Sequence, residues 1–152
     1  MAMVPAAPDF NGLRQMTNDA PGLRARLEEA AAGLVYTSES DRPFEWFELP
    51  GGGAGWPYGA DEFARRIGAA ADAPVEERTL DRFFKPHIET TDPYDTQAQA
   101  VRPRYEALKS LLSKELRDVR VFRVGRIAID CYVVGGDGRG NLAGLRTVAV
   151  ET

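Results

Sequence analysis

Val119–Val150, VRVFRVGRIAIDCYVVGGDGRGNLAGLRTVAV, is the stretch that decides the fold. It divides into three apolar and β-branched runs, Val119 to Gly125, Ile127 to Val134 and Leu142 to Val150, separated by glycine-bearing segments. Gly125-Arg126 reads as a tight reversal, and Gly135-Gly136-Asp137-Gly138-Arg139-Gly140-Asn141 as a longer hairpin loop. Three strands joined in this way predict an antiparallel meander. The last of them reaches almost to Thr152, so a carboxylate is expected to be fixed at a strand end beside Glu151, where chain ends ordinarily fray.

Working outward, a helix is expected from about Pro103 to Leu116, with Tyr105, Leu108, Leu112 and Leu116 on its buried stripe and proline in its first turn. Asp118 then breaks to the sheet. A second helix begins at Pro21, with Leu23, Leu27, Ala30, Ala31 and Leu34 at helical spacing and Gly33 as its C-terminal cap. Thr37 to Pro43 reads as a polar turn, and Phe44 to Leu49 mixes aromatic with acidic residues as a half-exposed strand does. Pro50 to Gly59 is a glycine-rich loop tipped by Trp56 and Tyr58. Asp61 is expected to cap a short helix carrying Phe63, Ala64 and Ile67, and a helical turn at Leu80 to Phe84 should end before Pro86. Residues 1–20 lack periodicity and read as a flexible N-terminal arm, leaving 21–152 as a single domain. The predicted class is α+β: a largely antiparallel sheet ending in the meander, with helices packed on it.

Composition removes several functions. At 152 residues and 43% hydrophobic content the chain suits one domain with a real core, and its net charge of −4 argues against a direct nucleic-acid ligand and for a basic partner. Its one cysteine, Cys131, falls in an apolar strand run with Ile127, Ile129 and Val133, which excludes a disulfide framework and a zinc cluster. No apolar run approaches the ~20 residues of a membrane helix. Met1 to Gly12 lacks the features of a secretory signal, so the expected location is the cytoplasm.

The motifs that suggest catalysis are incomplete. Gly138-Arg139-Gly140-Asn141-Leu142-Ala143 fits a dinucleotide-binding pattern but opens a strand instead of a helix, and Gly51 to Gly55 lacks the lysine and hydroxyl of a phosphate loop. His87-Ile88-Glu89 lacks the paired cysteines of a zinc deaminase, and Ser38 and Ser40 have no nucleophile elbow around them. Arg120, Arg123 and Arg126 read as a solvated strand face with ion pairs. Taken alone, Ser38-Glu39-Ser40-Asp41 is a solvated turn.

Three segments together carry more. They are GLVYTSESDRPFE (33–45), VFRVG (121–125) with IDCYVVG (129–135), and GNLAGL (140–145) running to VET (150–152). In order and spacing they resemble the nuclease A inhibitor family. That resemblance implies a small three-layer α/β/α sandwich that blocks a sugar-nonspecific DNA/RNA endonuclease whose active site holds magnesium. By match of residues, Glu39 and the carboxylate of Thr152 would approach that metal. Ser38, Ser40, Asp41 and Glu151 flank them as expected partner contacts, and Trp56 or Tyr58 is a candidate aromatic anchor. The expected protein is no enzyme, holds no cofactor or metal of its own, and binds neither nucleic acid nor membrane. The alternative is a regulatory interaction module of the same fold without nuclease targeting; a small-molecule enzyme using His87 and Glu89 stands third.

Overall fold

The structure is a computed structural model and describes residues 20–89 and 92–152, so nearly all of the expected arm lies outside it. In chain order the elements are α1 (Ala20–Ala31), β1 (Val35–Thr37), β2 (Asp41–Pro43), β3 (Glu45–Leu49), α2 (Ala60–Arg66), β4 (Val75–Arg78), α3 (Leu80–Ile88), α4 (Thr96–Glu115), β5 (Arg117–Val124), β6 (Ala128–Gly136) and β7 (Leu142–Val150). The sheet runs β3-β7-β6-β5-β4, antiparallel throughout. Its centre is the expected meander. Strands β1 and β2 form a separate hairpin.

Both faces of the sheet are covered, which makes the three-layer sandwich. On one face Val121, Ile129, Cys131, Val133, Leu145 and Ala149 pack with Leu27 of α1, Phe83 and Phe84 of α3, and Leu108 and Leu112 of α4. On the other, Phe122, Tyr132, Val134 and Leu142 meet Phe63 of α2 and the loop side chains Trp56 and Tyr58. Phe63 stacks on Phe122 with ring centroids 4.4 Å apart. Burying such a ring fully contributes about 2–3 kcal/mol, so the seven-residue α2 is held chiefly by one anchor. Gly144 leaves no room for a side chain: a Cβ there would lie 1.8 Å from the carbonyl oxygen of Val133.

Several local expectations fail, each because packing outweighs a local rule. Helix α3 runs through Pro86 to Ile88, since Phe83 and Phe84 are wholly buried and His87 is held between aromatic rings. Helix α4 begins at Thr96, capped by the Asp95 side chain on the amide of Ala98, and carries Pro103 in its interior; its polar first turns conceal it in the sequence. Gly59, not Asp61, is the N-cap of α2. Thr37 to Pro43 is mostly strand, with only Ser38 to Ser40 left to turn. Ile127 is 60% exposed in the reversal before β6 and does not share the buried face of Cys131. Asp118 lies within β5 at φ 52°, a left-handed conformation that aspartate tolerates, beside an irregularity in pairing between Arg117 and Arg120. Gly33, at φ 79°, does close the turn after α1.

Candidate functional site

Strand β3 pairs with β7 only as far as Glu45 opposite Arg146. Beyond that point the β1–β2 hairpin takes over the free edge of β7. The buried Thr147 hydroxyl donates to the carbonyl of Arg42 at 3.2 Å, the Val150 amide donates to Oγ of Ser38 at 2.9 Å, and the Glu39 amide donates to the carbonyl of Val150 at 3.1 Å. Ser38 also closes its own turn, donating from Oγ to the Ser40 carbonyl at 2.9 Å. The tip of an acidic hairpin is thereby moored to the end of the meander.

Glu39 meets Thr152 at that mooring. The Thr152 amide donates to Oε2 of Glu39 and its hydroxyl to Oε1, both at 2.7 Å. Both residues are exposed. The two donated bonds, led by the backbone one, hold the Glu39 carboxyl below its ordinary range. They favour the anion and fix its orientation while leaving it open to solvent. Because the folded value is depressed, this contribution to stability is complete above the ordinary glutamate range and is lost as pH falls through the lowered one.

The flanking residues divide into two groups. Ser38 and Ser40 serve the turn: Ser38 as described, and Ser40 by accepting from Nε of Arg42 at 3.0 Å. Glu151 is tied to Arg123, whose Nη2 lies 2.7 Å from Oε2 of Glu151, and its amide donates to the carbonyl of Ile127 at 2.9 Å. Asp41 is exposed on β2, opposite Thr37. It borders a groove with His87, Asp95, Val101 and Tyr105. Trp56 and Tyr58 are not brought to this site. Trp56 donates to the carbonyl of Arg117 at 3.0 Å and abuts Gly136, and Tyr58 donates to the carbonyl of Gly52 at 2.9 Å. Those atoms adjoin the Leu142 end of the sheet, since Gly136 pairs with Leu142. The nine residues of β7 separate that end from Val150 by roughly 25 Å.

His87 takes a structural part. Its Nε2 accepts from the Thr37 amide at 3.0 Å, so that nitrogen is unprotonated, and its ring lies 5.0 Å from Tyr36 and 4.7 Å from Tyr105. Burial lowers its proton affinity, against a smaller opposing pull from Asp41. Burial likewise pushes the Cys131 thiol up to about 11, which disfavours the thiolate at neutral pH. Among the described residues no group of three or more histidine, cysteine or acidic side chains is placed to hold a metal, and no helix is long and apolar enough to cross a membrane.

Arg123 departs from its expected place. Read as part of a solvated face, it is 4% exposed. The signal was present in the period of two: Arg120 and Arg123 are an odd number of positions apart and therefore point to opposite faces of β5. Arg120 pairs with Glu77 and lies near the Trp56 ring, while Arg123 takes the inward face.

The model of one family, described as nuclease A inhibitor-like protein, matches residues 22–152. No curated protein matches the chain.

Proposed function

This chain belongs to the nuclease A inhibitor-like family, and we propose that it inhibits a magnesium-dependent, sugar-nonspecific DNA/RNA endonuclease by inserting Glu39 and the Thr152 carboxylate into the active site. Membership supports a nuclease-inhibitor role in general. The finer reading rests on one observation: an exposed carboxylate at a hairpin tip receives two hydrogen bonds from Thr152, 113 residues away in sequence.

The chemistry follows from what such a nuclease must bind. Its metal holds phosphate oxygens and stabilises charge that develops on them. Mg²⁺ accepts carboxylate oxygens in place of phosphate ones while retaining waters. A carboxylate offers the charge and oxygens of a phosphodiester without a bond to cleave, so the complex stalls. Presentation on a moored turn avoids an ordering cost of about 0.5–1.5 kcal/mol for each side chain that would otherwise be immobilised on binding. The net charge of −4 accelerates encounter with a basic groove and makes it salt-dependent.

The test is titration of a magnesium-dependent, sugar-nonspecific nuclease with the protein, followed by DNA cleavage. Wild type should inhibit stoichiometrically. Glu39→Gln, and separately an extension of several residues after Thr152, should each raise the inhibition constant about thirtyfold or more, as loss of a central interface contact does. Undiminished inhibition by both variants would overturn the carboxylate reading.

A further inference from the structure

Arginine is seldom buried without a charged partner to compensate it. Arg123 lies on the face of β5 that α1, α3 and α4 cover, opposite Cys131 of β6 and Glu76 of β4. Its guanidinium has two acidic neighbours. Glu76 is 3.6 Å from Nε and is shared with Arg78, whose Nη2 lies 3.3 Å from the same oxygen. Glu151 is closer, at 2.7 Å from Nη2. The arginine side chain is 4% exposed and that of Glu151 is 49% exposed, so the sheet supplies the buried end of the pair and the terminal segment the wet end.

Few bonds hold Glu151 and Thr152 once β7 has ended. The Glu151 amide bonds to Ile127, and Thr152 bonds to Glu39, which itself sits at a hairpin tip. Of these attachments, the Arg123 ion pair alone runs from an inward-facing side chain of a central strand. Water cannot readily replace Glu151 around a guanidinium so enclosed, which makes the pair more persistent than an exposed one.

We infer that Arg123 is a positioning residue: by gripping Glu151 it fixes the path of the last two residues and so holds Thr152 against Glu39. The inference deepens the inhibitor reading and, for its functional consequence, rests on it. Arg123 is enclosed in the sheet and acts through Glu151. Glu151 is accordingly a tether first, whatever contact it also makes.

The test uses the full chain with Arg123→Met, which keeps much of the side chain's length and removes its charge, and with Arg123→Lys. Hydrogen exchange of the Thr152 amide in the free protein should accelerate about tenfold in Arg123→Met while the amides of β6 keep their protection, and Arg123→Lys should recover part of the loss. Against the nuclease, the inhibition constant should rise about tenfold, the upper range for an immobilised segment set free. Combining Arg123→Met with removal of Thr152 should give no more than removal alone. Unchanged Thr152 exchange, or an inhibition loss fully additive to that of removing Thr152, would overturn the inference. If Arg123→Met does not fold, Glu151→Ala at the half-exposed end of the pair must produce the same faster exchange, and its failure to do so is equally decisive. Because exchange is read without any nuclease, failure of the inhibitor reading and failure of this one are distinguishable.

Discussion

Ser38→Ala tests how the site is built. The hydroxyl accepts from the Val150 amide at 2.9 Å and donates to the Ser40 carbonyl at 2.9 Å, with a weaker approach from the Ser40 amide at 3.4 Å. A net hydrogen bond contributes about 1 kcal/mol, and leaving a partly buried amide without an acceptor adds to the loss. Two good bonds at a half-buried position therefore give a destabilisation of about 1–2 kcal/mol, some of it recovered by water. For a domain of this size that corresponds to a fall in Tm of about 4–8 °C. The local effect should be larger than the global one, because the turn that carries Glu39 loses one of its two bonds to Val150. Thermal denaturation, exchange of the Val150 amide and nuclease inhibition should be measured on the same samples. The expected result is lost protection at Val150 together with weakened inhibition, and near-complete recovery in Ser38→Thr, which keeps the oxygen. Weakened inhibition with full protection at Val150 would refute the bracing role and make Ser38 a direct contact.

Two further predictions concern parts of the molecule outside the carboxylate pair. His87 has a folded-state proton affinity lowered mainly by burial, so the stability it contributes is complete above the unfolded value of ~6.5 and is lost as pH falls from there through the depressed folded value. Protonation would also forbid the bond from the Thr37 amide. His87→Phe, which keeps a ring between Tyr36 and Tyr105, should flatten the dependence of Tm on pH below 6.5, and parallel curves for the two proteins would rule this out. Trp56→Ala should cost about 2–3 kcal/mol, less than a fully buried tryptophan because the ring is only partly buried, and leave inhibition unchanged at temperatures where the variant is folded. A loss of potency without a loss of denaturant stability would restore Trp56 as a partner contact.

Much of the scaffold could be read locally. Val121, Val133 and Leu145 alternate with residues of the opposite face, and that period of two is a property of the extended chain whatever surrounds it. Tyr105, Leu108 and Leu112 recur at the helical spacing and are buried, and Gly33 takes the left-handed conformation that ends α1. Where the reading failed, the deciding interaction came from a distant segment. The proline rule would have ended α3 before Pro86, but aromatic burial carries the helix on to Ile88. That Trp56 and Tyr58 pack over Phe122 and Phe63, away from the Glu39 end of the sheet, is likewise invisible nearby in sequence.

The candidate site divides in the same way. Acidity at Ser38-Glu39-Ser40-Asp41, the strand that ends just before Glu151, and the likeness to a family of inhibitors are all written in the linear chain, because residue type, periodicity and motif are local properties. That the Glu39 carboxylate receives the amide and hydroxyl of Thr152, that Ser38 faces inward, and that Arg123 grips Glu151 were decided only by the sheet. A contact spanning 113 residues depends on the register of β7 and on where β3 stops pairing, and those are set by burial on both faces of the sandwich, which no window of sequence contains.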